Sequence, residues 1–424
     1  MAPRGISNGR LEGRSEVWST PALVILAVMA PLLGWLAPQG LAALAALAGM
    51  ATLPGLRAPR RSDWGLAAAL AAGIAWIWAS SAWGPYPLLA RPWTGVTAAI
   101  LAALGVSLIG AGRRAGPRTA MLFPGALVFG VTLLAVILLV EALSGAGLFR
   151  AINAALGTAV RPDLAIRDAA RGTYGLIILG PAAIWACLRL GAARWLVPLL
   201  VGSLLFSAHT MDVAAPSVAL LAAVLAAATV SLWPRMGPRA LAAGSFALVL
   251  AMPLLIWMAI WSGRYDAMAA RLPPSWAERM SYWRFAVERI SEHPLRGWGL
   301  EASRDMAPGL ILHPHNGALQ LWLELGLPGA FLGAALCASV FLGLSRPGRD
   351  PGAVTGAATA AAYLTIGLVS FGIWQEWWVG LGLIAASFCA ALRLPDPQAA
   401  PEPRQENPAV VAPPVSCVAE RVMR

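Results

Sequence analysis

The sequence predicts an all-α polytopic membrane protein of about twelve transmembrane helices with one large outer loop, and three observations carry that prediction. Of 424 residues, 58% are hydrophobic and only 12% are charged, about half the charge of a soluble domain. The apolar residues run on without interruption, as over 17–36 and 240–261, long enough at about 1.5 Å per residue to cross a bilayer as helix. The same runs lack the alternation of a barrel strand. A soluble fold, a disordered chain, a secreted disulfide scaffold and a nucleic-acid-binding domain are excluded.

The elements follow in order. Residues 1–17 carry Arg4, Arg10 and Arg14 and lead into an apolar run without an Ala-x-Ala site, which reads as a cytoplasmic N-terminus and an anchor, not a cleaved signal peptide. Apolar spans are expected at 18–36, 40–56, 64–83, 94–111, 119–141, 172–190, 194–209, 214–232, 240–261, 317–343, 352–373 and 375–392. Nine of them form a bundle over 18–261, broken by a connection at 142–171. A large loop at 262–316 precedes the last three spans within 317–392. The Pro- and Ala-rich segment 393–424 reads as a disordered cytoplasmic tail. No inverted repeat of the transporter type is visible.

All 31 basic residues are arginine, and the formal net charge is +11. Their placement orients the chain. The N-terminus, Arg57, Arg60, Arg61, Arg113, Arg114, Arg118, Arg189, Arg194, Arg235, Arg239, Arg346, Arg349 and the tail fall on one side, the cytoplasm. The opposite short connections hold only Arg91. Arg150, Arg161, Arg167 and Arg171 lie in the smaller outer loop; Arg264, Arg271, Arg279, Arg284, Arg289, Arg296 and Arg304 lie in the larger. Long translocated loops escape the orientation rule, so these eleven are permitted there but not required. All four histidines, His209, His293, His313 and His315, fall near the same face. Cys187, Cys337, Cys389 and Cys417 show no paired spacing, which leaves packing residues, not a zinc site or a disulfide.

In the larger loop, Pro273-Pro274 precede a Ser275-Trp-Ala-Glu278 capping box, and Trp276, Met280, Trp283, Val287 and Ile290 recur at helical spacing up to His293-Pro294. This is an amphipathic helix at the membrane surface. Arg279, at the border of its apolar stripe, can reach lipid headgroups or a pocket. A Gly297-Trp298-Gly299 turn follows, then His313-Pro314-His315-Asn316 at the entrance of the tenth span. Two histidines two residues apart could bind a metal, but no third ligand has suitable spacing. One histidine acting as a general base near pH 7 is the more economical reading; a helix-capping or headgroup-binding histidine is the alternative. Gln320 and Glu324 share one helical face. A carboxylate inside an apolar span is costly, and Glu324 is expected to pair with an arginine or a polar backbone group, not with the histidine. Glu141 and Glu376, at span ends, carry less weight. Arg171 enters the sixth span from the outer side, where its planar fork would suit the oxygens of a phosphate.

The segment His315-Asn316, nine residues, Gly326-Leu327-Pro328-Gly329 resembles the signature of the O-antigen ligase and polymerase superfamily of bacterial envelopes. Upstream, Arg279…Trp283…Ile290-Ser-Glu-His293-Pro294-Leu295-Arg-Gly297-Trp-Gly299 is similar to the superfamily's arginine, amphipathic helix and His-Pro-Leu stretch. The motifs span about 55 residues, 275–329. The resemblance implies a fold like that of the metal-independent, lipid-linked glycosyltransferases (the GT-C type), needing no cofactor. The implied donor is a glycan on undecaprenyl diphosphate. The implied acceptor is lipid A–core or another sugar, reached among membrane lipids at the periplasmic face of the bacterial inner membrane. His315 would correspond to the catalytic base and Arg279 to the loop arginine that holds the diphosphate. Arg171 looks like a second such arginine, and His313, Asn316 and Glu324 would support the site. The compact outer loop and the chain length favour ligation over polymerisation of lipid-linked repeats. A non-catalytic transporter of lipid-linked glycans would instead spread charge through mid-membrane. The stretch containing His209 and Asp212 departs from relatives, and neither residue is given a role beyond lining the cavity.

Overall fold

A computed structural model describes residues 6–55, 64–86, 94–345 and 350–392, and helix is the only regular structure among them. The helices are α1 (Ile6–Leu36), α2 (Gly40–Thr52), α3 (Trp64–Ser80), α4 (Thr94–Arg113), α5 (Pro117–Ser144), α6 (Gly147–Ala155), α7 (Pro162–Ala169), α8 (Arg171–Leu190), α9 (Leu196–Thr210), α10 (Ala215–Leu232), α11 (Gly237–Trp261), α12 (Arg264–Ala269), α13 (Pro274–Glu292), α14 (Gly317–Leu342), α15 (Pro351–Val369) and α16 (Glu376–Ala391). Eight stretches are long and apolar enough to cross a membrane, and four shorter apolar helices accompany them at Gly40–Gly55, Ala67–Ser80, Leu196–Thr210 and Glu376–Ala391. Each coincides with one of the apolar segments read from the sequence. The chain is an all-α polytopic membrane protein, as a solvent without hydrogen-bonding capacity demands of apolar backbone.

Two details differ from the sequence reading. Helix α1 begins at Ile6, well before the apolar run. The connection at 142–171 is itself helical, as α6 and α7, and α7 is followed almost directly by α8. The orienting residues Arg4, Arg57, Arg60, Arg61, Arg91, Arg346 and Arg349, and the tail 393–424 with Cys417, lie outside the described residues.

Helices in lipid gain little from apolar burial against one another, so close approach and buried hydroxyl pairs hold them together. Gly130 brings α5 so near α1 that a Cβ there would sit 2.2 Å from the Ala27 carbonyl. Thr20 and Thr119 pair their hydroxyls at 2.7 Å between α1 and α5, and Ser203 of α9 donates to Ala135 O of α5 at 2.6 Å.

The bundle has two distinct ends. At one, the Trp185 indole donates to Leu392 O and the Ser345 hydroxyl to Arg235 O. The exposed Trp18, Trp195 and Trp233 lie close in sequence to arginines, the pattern of an interfacial aromatic belt. At the other end, Trp35 packs on Phe149, the Tyr174 hydroxyl meets Ser370 at 3.4 Å, and Ile373 N–H donates to Gln320. The loops at 142–171, 262–316 and 370–375 therefore share one rim.

Candidate functional site

The site is built on a break in α14. Gly326 adopts φ 64°, ψ −163°, a conformation open only to glycine, and Pro328 two residues on has no N–H to give back. Helical carbonyls before the break are thereby freed. Trp298 N–H bonds to Leu323 O at 2.9 Å, Gly299 N–H to Glu324 O at 2.8 Å, and the Trp76 indole to Leu325 O at 2.9 Å. Leu327 N–H returns a bond to Pro294 O at 2.9 Å. The two glycine motifs read separately in the sequence are thus the two halves of one clasp.

Glu324, fully buried, locks that clasp. Its carboxylate accepts from Glu301 N–H at 2.8 Å, Ser303 Oγ at 2.6 Å, Gln320 Nε2 at 2.9 Å and Trp374 Nε1 at 2.5 Å. The expectation of a polar backbone partner holds; the arginine partner is replaced by two side chains from the loop and the last helical pair and one from its own helix. Glu324 does not touch His315. It connects to the histidine segment through Ser303, whose hydroxyl also lies 3.0 Å from Leu312 O.

His313 and His315 sit directly above. Asn316 caps α14, its side chain accepting from Leu319 N–H at 3.1 Å, so its place in the motif is structural. The His313 and His315 rings lie 4.2 Å apart between centroids, and His315 stacks on Tyr282 at 5.8 Å. Helix α13 pins the segment from the side, through Trp283 Nε1 donating to Pro314 O at 3.0 Å. His315 Nδ1 lies 3.1 Å from His313 O. A carbonyl can only accept, so Nδ1 carries the proton of the neutral ring and Nε2 keeps a free lone pair. That nitrogen is the base the site can offer.

Electrostatics at the rim favour a neutral histidine. Burial and then the Arg279 charge lower the pKa of His315, against the His313 hydrogen bond and the Glu278 carboxylate, which raise it. Burial, reinforced by His315 and Arg304, lowers His313 to about 3. Tyr282 is pushed up to about 12 by burial and by Glu278, which accepts its hydroxyl proton at 2.6 Å.

Both predicted arginines face this rim. Arg279 is half-buried, lies over the Trp276 ring at 5.2 Å, and donates from Nη1 to Ser275 O at 3.2 Å. Its Nε is buried with no hydrogen-bond partner. Arg171, the first residue of α8, pairs with Asp168 at 3.1 Å. The Arg279 charge acts on His315, and Arg171 opens α8 three residues before Tyr174, whose hydroxyl meets Ser370. Two loops far apart in sequence thus bring their cations to the same rim. The expected capping box of α13 does not form. The helix starts two residues earlier, at Pro274, whose ring presets a helical φ, and no side chain caps it. Glu278 turns to Tyr282 instead.

His209 and Asp212 lie exposed at the turn between α9 and α10. Among the described residues, no set of three or more His, Cys, Asp or Glu side chains is gathered to hold a metal ion. Sequence reasoning missed the contribution of the loop 370–375, where Trp374 reaches Glu324 and the Gln375 amide lies 3.3 Å from His313 Nε2. A lone amide among tryptophans at the outer end of two spans was the available signal. It also missed Tyr282, Ser303 and the backbone N–H of Glu301.

A multi-pass helical membrane protein with a histidine and two arginines at one rim is the class that fold and site define. Residues 213–334 match the model of the O-antigen ligase family. The chain is similar to a "Putative polysaccharide ligase" of Rickettsia conorii, 32% identical over 137 residues, 29% of this chain and 33% of that protein. A second, from Rickettsia bellii, is 31% identical over 137 residues, 29% of this chain and 34% of its own length. The match spans about a third of the length of these curated relatives. The family match takes in both glycine motifs, α13 and the histidine segment, but not Arg171.

Proposed function

We propose that this protein transfers a glycan from an undecaprenyl-diphosphate carrier to an acceptor hydroxyl at the periplasmic face of the bacterial inner membrane, most simply as a ligase acting on lipid A–core. The observation that carries the proposal is the free Nε2 of His315, held at one rim with the guanidinium groups of Arg171 and Arg279. His315 Nε2 takes the proton of the acceptor hydroxyl, whose oxygen attacks the anomeric carbon opposite the leaving group. The anomeric carbon–oxygen bond breaks with inversion, and its electron pair leaves on the diphosphate. Arg171 and Arg279 meet the growing negative charge with fixed donors, so no metal is needed for that task. Arg279 commits only Nη1 within the protein, to Ser275 O, and its Nη2 donors are available for a phosphate oxygen.

The family match and the names of the relatives support ligation over the alternative, polymerisation of lipid-linked repeats. A transporter of such glycans is disfavoured because the three buried carboxylates among the described residues, Glu141, Glu301 and Glu324, all serve the outer end. The arginines of the connections opposite the site support its periplasmic orientation.

Purified protein mixed with undecaprenyl-diphosphate oligosaccharide and candidate acceptors, followed by product analysis, tests the proposal. His315→Ala is expected to lose turnover by about 10²–10⁴-fold while still binding donor. Turnover at the wild-type level in that variant sinks the assignment.

A further inference from the structure

We propose that His313 and Gln375 form a positioning pair that holds His315 in its working conformation and tautomer, and that His313 is not a second base. The inference rests on His315 as the base. His315 has φ 54°, a left-handed conformation unfavourable for a residue that carries a side chain. Such strain persists only where neighbours over-determine it, and the neighbours here are specific. The backbone N–H of His315 donates to His313 Nδ1 at 3.1 Å, and His315 Nδ1 donates to His313 O at 3.1 Å. Backbone and ring of one residue therefore grip ring and backbone of the other.

That grip commits the His313 lone pair. With Nδ1 accepting, the proton of its neutral ring sits on Nε2, which faces the Gln375 side-chain amide at 3.3 Å. The amide nitrogen is the atom placed at that distance, where it would oppose one donor to another; turning the amide end for end brings its oxygen, which has no other hydrogen-bond partner, to accept from Nε2–H. The loop 370–375 also closes over the ring: a Cβ on Gly372 would lie 2.9 Å from His313 Cδ2. His313, buried and fully engaged, has nothing left with which to take a substrate proton. Its work is done through His315.

The test uses the full chain in lipid nanodiscs with ¹⁵N-labelled histidine. Only four histidines are present, and single H209Q and H293Q substitutions identify the other two signals. The wild type is expected to show His315 protonated on Nδ1 and His313 on Nε2. His313→Ala should give a mixture of His315 tautomers and a kcat lower by about 10–100-fold, the usual penalty of a misplaced catalytic group, with KM for the donor unchanged. His313→Asn, whose amide places an acceptor where Nδ1 lies, should restore the tautomer and most of kcat. Gln375→Leu should lower kcat, and Gln375→Glu, which keeps an acceptor, should not. Three results overturn the pair: a wild-type kcat in His313→Ala, equal inactivity of folded His313→Ala and His313→Asn, or wild-type His315 protonated on Nε2. If His313→Ala does not fold, His313→Asn and Gln375→Leu decide. The tautomers are read without turnover, so an active His315→Ala would remove the base assignment and leave the positioning result legible.

Discussion

Replacing Glu324 separates a structural carboxylate from a chemical one. In Glu324→Ala the Ser303 hydroxyl can turn to Leu312 O, 3.0 Å away. The Glu301 N–H, Gln320 Nε2–H and Trp374 Nε1–H are left facing a void. A buried donor without a partner costs about 1–3 kcal/mol, so three of them set a loss of at least about 3 kcal/mol before any cavity term. Glu324→Gln behaves differently. Its oxygen can still serve Glu301 and Trp374, and its NH₂ can donate to Ser303 Oγ, because a hydroxyl also accepts. Only the Gln320 NH₂ then meets another donor, for a loss of about 1–3 kcal/mol. Equilibrium unfolding in mixed micelles measures both variants against the wild type, and turnover is read on the same preparations. Because Trp374 and Ser303 anchor the segments carrying Gln375 and Leu312, kcat should fall in the same order as stability. Alanine within about 1 kcal/mol of the wild type, or glutamine as damaging as alanine, would refute the clasp.

Gly299→Ala should destabilise by about 1–3 kcal/mol, since its Cβ would fall 2.2 Å from Gly84 Cα, an immovable backbone atom; Gly65→Ala, with nothing within 4 Å, is the neutral or stabilising control, and thermal unfolding distinguishes them. The acidic limb of kcat/KM against pH reports the free enzyme's base: with the His315 pKa lowered by burial and by Arg279, that limb should lie below the ordinary histidine range. Arg279→Gln removes a cation, so the limb should move upward; a limb unmoved or shifted down would disconnect the two groups. Arg171→Lys and Arg279→Lys keep charge but lose the bidentate fork, and should raise the donor KM by about tenfold or more, the worth of one charge-assisted bond.

Most of the fold was legible because the membrane leaves the chain few options. Apolar run length alone placed the spanning helices within a few residues, and arginine content separated the two ends. The histidine and the two arginines were legible as residue types at helix entrances. What the sequence could not show was long-range closure. Gln375 and Trp374 follow the histidine segment by some sixty residues, and nothing local in Trp-Gln-Glu announces that they return to His313 and Glu324. Glu324 could be recognised as costly, but not that backbone and hydroxyl donors, not an arginine, would offset the cost. The capping box failed for the opposite reason: a local signal was overridden by a stronger local one, the proline before it.

The distribution of strain argues that the rim is organised around one atom. Five non-glycine residues among those described have positive φ, and three of them, Glu301, Leu312 and His315, lie in the twenty-residue stretch that the clasp holds. Gly297, Gly299 and Gly326, also at positive φ, are the points where that stretch grips the break in α14. A segment needed only to cap a helix would have no use for such conformations, because Asn316 alone supplies the cap. Buried Glu324, the glycine clasp, Trp283 and Gln375 approach from four different elements and converge on the residues either side of His315. At their meeting point the His315 ring commits Nδ1 to the His313 carbonyl and keeps Nε2 for a substrate. Charge inside the membrane therefore serves to fix geometry, and charge at the rim remains free to meet a substrate.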